Sequence, residues 1–297
     1  MGEAIQHMAS ARVQSGSGKA TFAVNRRNNK PYSQVPEWRS KGTLAGPSDH
    51  DVPVLTIRDP ESGEIRVILF GYACHATTLS LNEWNADYPG YAQTALEKSH
   101  PGAVALFWAG CGGDQNPLPR GSVDLAEHYG EELAAAVDSV IRGTMPVLKP
   151  ALSTAYKEIK VPLAALPTSQ EISNNLKSTN RFEAARARLL QQKIEKNGGL
   201  DDYYPYPIGH WKLGGRIDFV ILGGEVVVDY ALRLKREMSG TQTWVAGYSN
   251  DVMAYIPSLR VLKEGGYEGG DSNVYYGLPT LWGDAIEETI VGAVLHP

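Results

Sequence analysis

Runs of apolar residues, some alternating with polar ones and some continuous, divide the chain into predicted strands and helices. Residues 52–59 and 64–73 are rich in Val, Ile and Leu, and the turn residues Pro-Glu-Ser-Gly separate them, which predicts a β-hairpin. Residues 102–110 are almost wholly apolar, and we expect a strand that is covered on both faces. Further strands are predicted at residues 20–24 and 152–162, and at the beginnings of segments 215–237 and 243–257.

Helices are predicted where apolar side chains recur at helical spacing behind a suitable first residue. Residues 87–100 have Asp87 near the N-cap and Pro89 in the first turn, and residues 122–143 begin with Ser122 as the cap. Other predicted helices are residues 181–196, the later part of segment 215–237, and residues 282–295. Residues 1–18 are interpreted as the tail of a short helix.

The order of these elements predicts the fold class. Strands that alternate with helices, together with at least one hairpin, are typical of an α/β fold with mixed β-sheets flanked by helices. No internal repeat or low-complexity linker divides the sequence, so we expect residues 1–297 to form a single domain.

Composition narrows the classes of function. The chain has 33 acidic residues against 28 Lys and Arg, a net charge of −5, and this balance does not indicate a nucleic-acid or membrane electrostatic footprint. No apolar stretch reaches the roughly 18 residues that span a bilayer, and no signal peptide is visible. Two cysteines are too few for a disulfide framework.

Candidate chemistry begins at the end of the second hairpin strand, in the segment GYACHATTLS. His75 is expected at the carboxyl end of this strand, where open α/β sheets keep their ligands, and a neutral imidazole is a good zinc ligand. Taken alone, a histidine that is only hydrogen-bonded at a strand end is the favoured alternative, because a single His carries no spacing signal.

Glu225 follows a strand and a Gly-Gly turn and precedes a helix. A carboxylate there is either a metal ligand at a sheet edge or an acid that favours the helix N-terminus, and the residue alone favours the second. The glycine-rich loop at 110–119 carries the polar residues Asp114, Gln115 and Asn116 but lacks the ending of a P-loop. Cys111 in this loop is interpreted as buried and inert rather than nucleophilic.

A later region, residues 247–277, is rich in Gly and Tyr. Tyr255 and Tyr267 could donate hydrogen bonds to an oxyanion, or a phenolic oxygen could reach a metal. Aromatic packing beneath a glycine loop is an equally good interpretation of the same residues.

Taken in order, these segments resemble the amidohydrolase domain of the neutral (non-lysosomal) ceramidase family, from about residue 22 to residue 280. The resemblance is carried by an ordered set of motifs rather than by one pattern. The motifs are VNRR at 24–27, FGYACHATT at 70–78, DYPGYA at 87–92, GGEVVVDYALRLK at 223–235, NDVMAYIPS at 250–258 and GGYEGG at 265–270.

The resemblance implies a Zn²⁺ cofactor and a role for each matched residue. It implies that His75, Glu225 and Tyr255 ligate the zinc. It implies that Arg26 lies in the active site and that Tyr267 contacts the substrate carbonyl or the oxyanion. Two departures stand out: the family's further zinc histidine has no counterpart upstream, where the one histidine is His7, and Asn116 replaces the family serine.

An amide donates hydrogen bonds but is not a hydroxyl nucleophile, so Asn116 is expected to assist an oxyanion and no acyl-enzyme is expected. The missing histidine leads us to expect that the upstream part of the catalytic domain is absent, and the family's C-terminal immunoglobulin-like domain has no counterpart.

The resemblance implies a zinc-dependent amidohydrolase that cleaves the amide bond of ceramide or a related N-acyl lipid, reached at a membrane surface. It also implies a secreted or periplasmic location. Two alternatives remain: a hydrolase of the same fold that acts on a non-lipid amide or ester, and a non-catalytic binding protein or inactive fragment that lacks one zinc ligand.

Overall fold

The computed structural model describes residues 2–238 and 240–296, apart from the side chain of Ala4. Contacts between Cα atoms divide the chain into two compact units. Unit 1 comprises the residues up to Gly110, Gln115–Ser153 and Lys212–Ile217, and unit 2 comprises Cys111–Asp114, Thr154–Trp211 and the residues from Asp218 onward. The single-domain organisation of residues 1–297 stays a prediction.

Unit 1 contains a four-stranded sheet, a two-stranded sheet and four α-helices among its described residues. In chain order the elements are α1 (Gly2–Gln6), β1 (Arg12–Lys19), β2 (Ala23–Asn25), a 3-10 turn (Tyr32–Gln34), α2 (Val35–Lys41), β3 (Asp51–Arg58), β4 (Ile65–Tyr72), α3 (Asp87–Ser99), β5 (Val104–Ala109), β6 (Gln115–Pro117) and α4 (Val123–Arg142).

The larger sheet of unit 1 is mixed, as predicted. Its strand order is β1-β3-β4-β5, with β3 and β4 antiparallel and β4 and β5 parallel, so the hairpin is confirmed. The expectation that β5 is covered on both faces is wrong. This strand lies at the sheet edge, where Ala105 is buried but Val104 and Leu106 are exposed. Helix α3 protects the edge, because Gln93 donates to the Ala105 carbonyl at 2.8 Å.

Residues 12–18 were assigned to a helical tail, and that prediction is wrong. Helix α1 ends at Gln6, and residues 12–19 form β1, which pairs antiparallel with β3. Two glycines explain the strand, because they let it lie against α4. A Cβ on Gly16 would lie 2.5 Å from Val140 Cγ1, and a Cβ on Gly18 would lie 3.0 Å from the Ala136 carbonyl oxygen. The strand is therefore set by a tertiary contact.

The core of unit 1 lies between the sheet and helices α3 and α4. Phe22 stacks on Tyr129 with ring centroids 4.8 Å apart and meets Tyr88 edge-on at 5.1 Å. Helix α4 is confirmed with its cap, since the Ser122 hydroxyl accepts from the Leu125 amide at 3.3 Å. Burial of large aromatic side chains of this kind supplies much of the stabilising free energy of a unit.

Unit 2 contains another four-stranded sheet, with the order β11-β9-β8-β7, and a short parallel pair, β10-β12. Its elements are β7 (Leu152–Pro162), α5 (Ser169–Asn175), α6 (Arg181–Asn197), β8 (Tyr203–Leu213), β9 (Ile217–Leu222), β10 (Glu225–Val226), α7 (Val228–Glu237), β11 (Gln242–Ala246), β12 (Tyr255–Ile256), α8 (Leu259–Glu264), a π-helical turn (Tyr267–Asp271), α9 (Asn273–Tyr276) and α10 (Ile286–Leu295).

The predicted elements of unit 2 are confirmed, including the strand, Gly-Gly turn and helix between residues 217 and 237. Strand β8 was not predicted, because Pro205 and Pro207 interrupt its sequence and prolines argue against a strand. Helix α7 buries Ala231 and Leu234 in the core of the unit. Among residues 2–238 and 240–296, no helix combines the length and hydropathy that a membrane span requires.

Candidate functional site

The predicted site residues fall into two groups, one in each unit. Unit 1 holds Arg26, His75 and Asn116. Unit 2 holds Glu225, Tyr255 and Tyr267.

In unit 1, the short antiparallel pair β2-β6 brings Arg26 and Asn116 together. Residue Asn25 pairs with Gln115 and Val24 pairs with Asn116. Just beyond this register, the Arg26 guanidinium donates from Nη1 to Asn116 Oδ1 at 3.3 Å. Because the Asn116 carbonyl oxygen accepts from arginine, its NH₂ group is the part that can donate to a ligand.

His75 is buried and lies three residues beyond the end of β4. Its backbone amide donates to the Gln115 carbonyl at 3.0 Å, which sets it beside the strand that carries Asn116. The Gln115 side chain holds the same region together, since it donates to the Ala73 carbonyl and accepts from the Asp49 amide at 3.1 Å. The unit 1 residues of the predicted site are therefore neighbours.

The DYPGYA motif fastens the loop that follows His75. Asp87 accepts from the Leu79 amide at 2.8 Å and from the Tyr88 amide at 2.7 Å, so its carboxylate joins the loop to the start of α3. The Tyr88 hydroxyl donates to the Cys74 carbonyl at 2.7 Å. Burial raises the pKa of the Cys74 thiol well above its ordinary value, which makes that residue a poor nucleophile.

In unit 2, strand pairing places Glu225 beside Tyr255. Strands β10 and β12 run parallel with these two residues in register, and the Glu225 amide donates to the Ala254 carbonyl at 2.8 Å. The turn before β10 requires glycine: Gly224 has φ +74°, and a Cβ there would lie 2.6 Å from Ile256 Cγ1. The Gly-Gly turn thus determines where the Glu225 side chain lies.

Two tyrosine hydroxyls donate to the Glu225 carboxylate. Tyr276 donates to Oε1, and Tyr248 donates to Oε2 at 3.4 Å. Partial burial, and after it the hydrogen bond to the carboxylate, raises the pKa of Tyr276. Sequence reasoning missed both partners. The adjacent tyrosines at 275 and 276 were a signal for one of them, but the φ of +55° that turns Tyr248 is visible only in the structure.

Tyr255 and Tyr267 complete the group. The Tyr255 ring is buried and lies 5.4 Å from the Tyr267 ring and 6.3 Å from the Tyr276 ring, between centroids. The indole of Trp282 donates to the Tyr255 carbonyl at 2.8 Å. The structure therefore brings together all three site residues that were predicted in this unit.

The N-terminus of α7 is capped by Asp114 rather than by Glu225. Asp114 accepts from the Val228 amide at 2.8 Å, and the preceding Gly113 donates to the Val226 carbonyl at 2.8 Å. Gly113 allows this close approach, because a Cβ there would lie 2.6 Å from the Glu225 carbonyl oxygen. Glu225 is thus not a helix-capping acid, and its carboxylate faces the tyrosines.

The part of the chain that the structure describes contains no group of three or more His, Cys, Asp or Glu side chains arranged to hold an ion. Glu225 and Tyr255 supply a carboxylate and a phenol side by side. His75 belongs to the other unit, and its convergence with these two residues on one ion stays a prediction.

Comparison with known proteins connects this arrangement to one group of solved structures. No protein-family model and no curated protein matches the chain. A crystal structure of neutral ceramidase from Pseudomonas aeruginosa matches 99% of the chain with a TM-score of 0.70 and 18% identity. A structure of ceramidase complexed with C2 matches 99% of it with a TM-score of 0.70 and 16% identity.

The chain spans about half the length of these structures, 52% of the first and 54% of the second. At such identities the similarity establishes the fold. The predicted fold class, mixed sheets flanked by helices as in neutral ceramidase structures, is confirmed.

Proposed function

We propose that the protein is a zinc-dependent hydrolase that cleaves the amide bond of ceramide or a related N-acyl lipid. The observation that carries the proposal is the in-register pair of Glu225 and Tyr255, with tyrosine hydroxyls bonded to the carboxylate, in a fold shared with neutral ceramidase structures.

The donor atoms of the proposed ligands suit zinc. Catalytic zinc sites use three protein ligands and keep one open position, and imidazole and carboxylate are among the usual ligands. Tyr255 would add a phenolic oxygen. Glu225, Tyr255 and His75 would be those ligands, and the hydrogen bond from Tyr276 would orient the carboxylate, as outer partners of metal ligands commonly do. When bound, zinc supplies an activated water near neutral pH and polarises a carbonyl.

The remaining residues would bind and orient the amide. The phenol of Tyr267 would donate a hydrogen bond to the carbonyl oxygen as negative charge develops on it. The NH₂ of Asn116 would donate in the same way, with Arg26 holding the other end of that amide. Neither residue supplies a nucleophile in this scheme, and water is the attacking species.

The test is to measure zinc content and hydrolysis of an N-acyl sphingosine by the chain and by the variants His75→Ala and Glu225→Gln. In each variant we expect zinc affinity and hydrolytic activity to fall by more than the 10- to 100-fold that is typical when an outer partner of a metal ligand is removed. His128→Ala is the matched control, since that histidine is exposed on α4. Full activity in His75→Ala would refute the zinc assignment.

A second candidate, hydrolysis of a non-lipid amide or ester, is favoured by Asn116 at the place of the family serine. A substrate panel decides between the two, because preference for short, soluble amides would displace the lipid substrate. The absence of a His, Cys, Asp and Glu cluster among the described residues favours a third, non-catalytic candidate, which a titration showing no zinc uptake would support.

A further inference from the structure

We propose that the acyl chain of the substrate lies along a row of exposed aromatic rings formed by Tyr267, Tyr275 and Phe182, an inference that rests on the proposed function. The row begins at Tyr267, whose ring meets the buried ring of Tyr255, the in-register neighbour of Glu225.

The rings form a continuous series. Centroid distances are 5.4 Å from Tyr255 to Tyr267, 6.3 Å from Tyr267 to Tyr275 and 4.7 Å from Tyr275 to Phe182. The exposed fractions are 46% for Tyr267, 54% for Tyr275 and 37% for Phe182. Single exposed aromatic residues are ordinary, whereas these three lie in series and together expose apolar surface next to the candidate site, where ligand-binding grooves commonly expose such surface.

Local structure explains why the rings meet. Tyr275 lies on α9, whose C-cap is Gly277 with φ +79°, and a Cβ on that glycine would lie 2.7 Å from Leu189 Cδ2 of α6. The glycine therefore lets α9 lie close to α6. Phe182 is in the first turn of α6, fixed by Asn180, whose side chain accepts from the Phe182 amide at 3.0 Å.

The arrangement of the rings favours a flexible alkyl chain over a flat ligand. Phe182 meets Tyr275 at an interplanar angle of 80°, and Tyr267 meets Tyr255 at 65°, so successive rings present edges and faces in turn rather than one flat plate. Methylene groups can follow such an irregular apolar surface. The row ends where the Arg181 guanidinium lies 4.6 Å from the Phe182 centroid, a charged boundary.

The acyl chain, rather than the chain of the sphingoid base, is assigned to the row because of where the row starts. Tyr267 is the residue proposed to contact the amide carbonyl, and the carbonyl carbon carries the acyl chain. The apolar part of the base begins several bonds further from the carbonyl, beyond the nitrogen and the hydroxyl-bearing carbons.

The experiment measures binding without turnover, with amines that have no carbonyl to hydrolyse. N-ethylsphingosine and N-dodecylsphingosine are titrated into the wild type, Tyr275→Ala and Phe182→Ala by calorimetry. N-dodecylserinol, which keeps the long N-linked chain and lacks the base chain, is the third probe. Tyr156→Ala is the control, since Tyr156 is an exposed tyrosine on β7 outside the row. Circular dichroism checks that each variant folds.

We expect both row variants to lower the affinity for the two dodecyl probes about tenfold. The affinity for N-ethylsphingosine should change by less than about twofold. The Tyr156→Ala control should leave all three affinities unchanged. The inference is overturned if the wild type binds none of the probes, if both row variants leave the dodecyl affinities unchanged, or if they weaken all probes equally. It is also overturned if the row variants weaken binding of N-ethylsphingosine and N-dodecylsphingosine, the two probes that carry the base chain, and leave the affinity for N-dodecylserinol unchanged. If the wild type binds the dodecyl probes more tightly than N-ethylsphingosine but hydrolyses no N-acyl sphingosine, the proposed function is refuted and the assignment of the row as an alkyl-chain site stands.

Discussion

Replacing Tyr276 by Phe removes one hydroxyl from the Glu225 carboxylate and leaves the ring in place. The change isolates a single hydrogen bond, because the Tyr276 ring still packs against Tyr255 at 6.3 Å. Tyr248→Phe is the matched control: it removes a hydroxyl from the other oxygen of the same carboxylate, where the distance of 3.4 Å is longer than usual for an O–H···O hydrogen bond and the interaction is weak.

The expected magnitudes differ for that reason. A hydrogen bond to a charged group contributes about 1.5–3 kcal/mol to the free energy of unfolding, and both Tyr276 and Glu225 are only partly buried, which places this bond near the lower end. We expect Tyr276→Phe to cost about 1.5 kcal/mol and Tyr248→Phe about 0.5 kcal/mol or less. If Glu225 ligates zinc, Tyr276→Phe should also lower zinc affinity about 10- to 100-fold.

Urea unfolding of the metal-free chain measures the first effect, read as a shift of the midpoint at constant m-value. A cycle with Glu225→Ala isolates the interaction between the two side chains, because alanine leaves the Tyr276 hydroxyl no acceptor there, and about 1 kcal/mol is expected. Competition against a chelator of known affinity measures the second effect. Equal losses in the two tyrosine variants, or a coupling near zero, would refute the reasoning from distance and burial.

Three further outcomes follow from backbone geometry and burial. Gly224→Ala should lower the free energy of unfolding by about 2 kcal/mol more than Gly63→Ala, since both glycines have positive φ but only a Cβ at Gly224 meets neighbouring atoms, and equal losses by urea unfolding would contradict this. Burial raises the pKa of Tyr206 well above its ordinary value, so its neutral form is the one the fold stabilises. The contribution of Tyr206 to the free energy of unfolding should therefore be constant below about pH 10 and fall above it, and Tyr206→Phe should reduce the alkaline slope by about 1.4 kcal/mol per pH unit. An unchanged alkaline slope would contradict the assignment. Cys74 and Cys111 are buried, and a thiol reagent should modify them at the rate of unfolding, whereas fast modification of the native chain would contradict their burial.

The hairpin and the long helices were predictable because their information is local. The turn residues between β3 and β4, and the apolar face of α4 behind its Ser122 cap, are each contained in a short stretch of sequence. The ordered motifs pointed in addition to Glu225, Tyr255 and Tyr267, which the structure places next to one another in unit 2.

The misses share a different cause. Strand β1 has no apolar alternation, and it is a strand because Gly16 and Gly18 fit against α4. Strand β5 is as apolar as a central strand, yet the sheet ends with it. In both cases the deciding neighbour lies far away in the sequence, where a local pattern carries no information.

The amino-acid sequence by itself determined the fold class, the helix and turn positions and the residue types available to the candidate site, because periodicity, caps and turn chemistry act over a few residues. The tertiary structure alone decided the partners of those residues. Tyr276 meets Glu225 across 51 positions of the chain, and Asp114 takes the N-terminus of α7 that Glu225 could otherwise have capped. Such pairs depend on how distant segments pack against each other. A short stretch of sequence does not by itself show which distant segment it will contact.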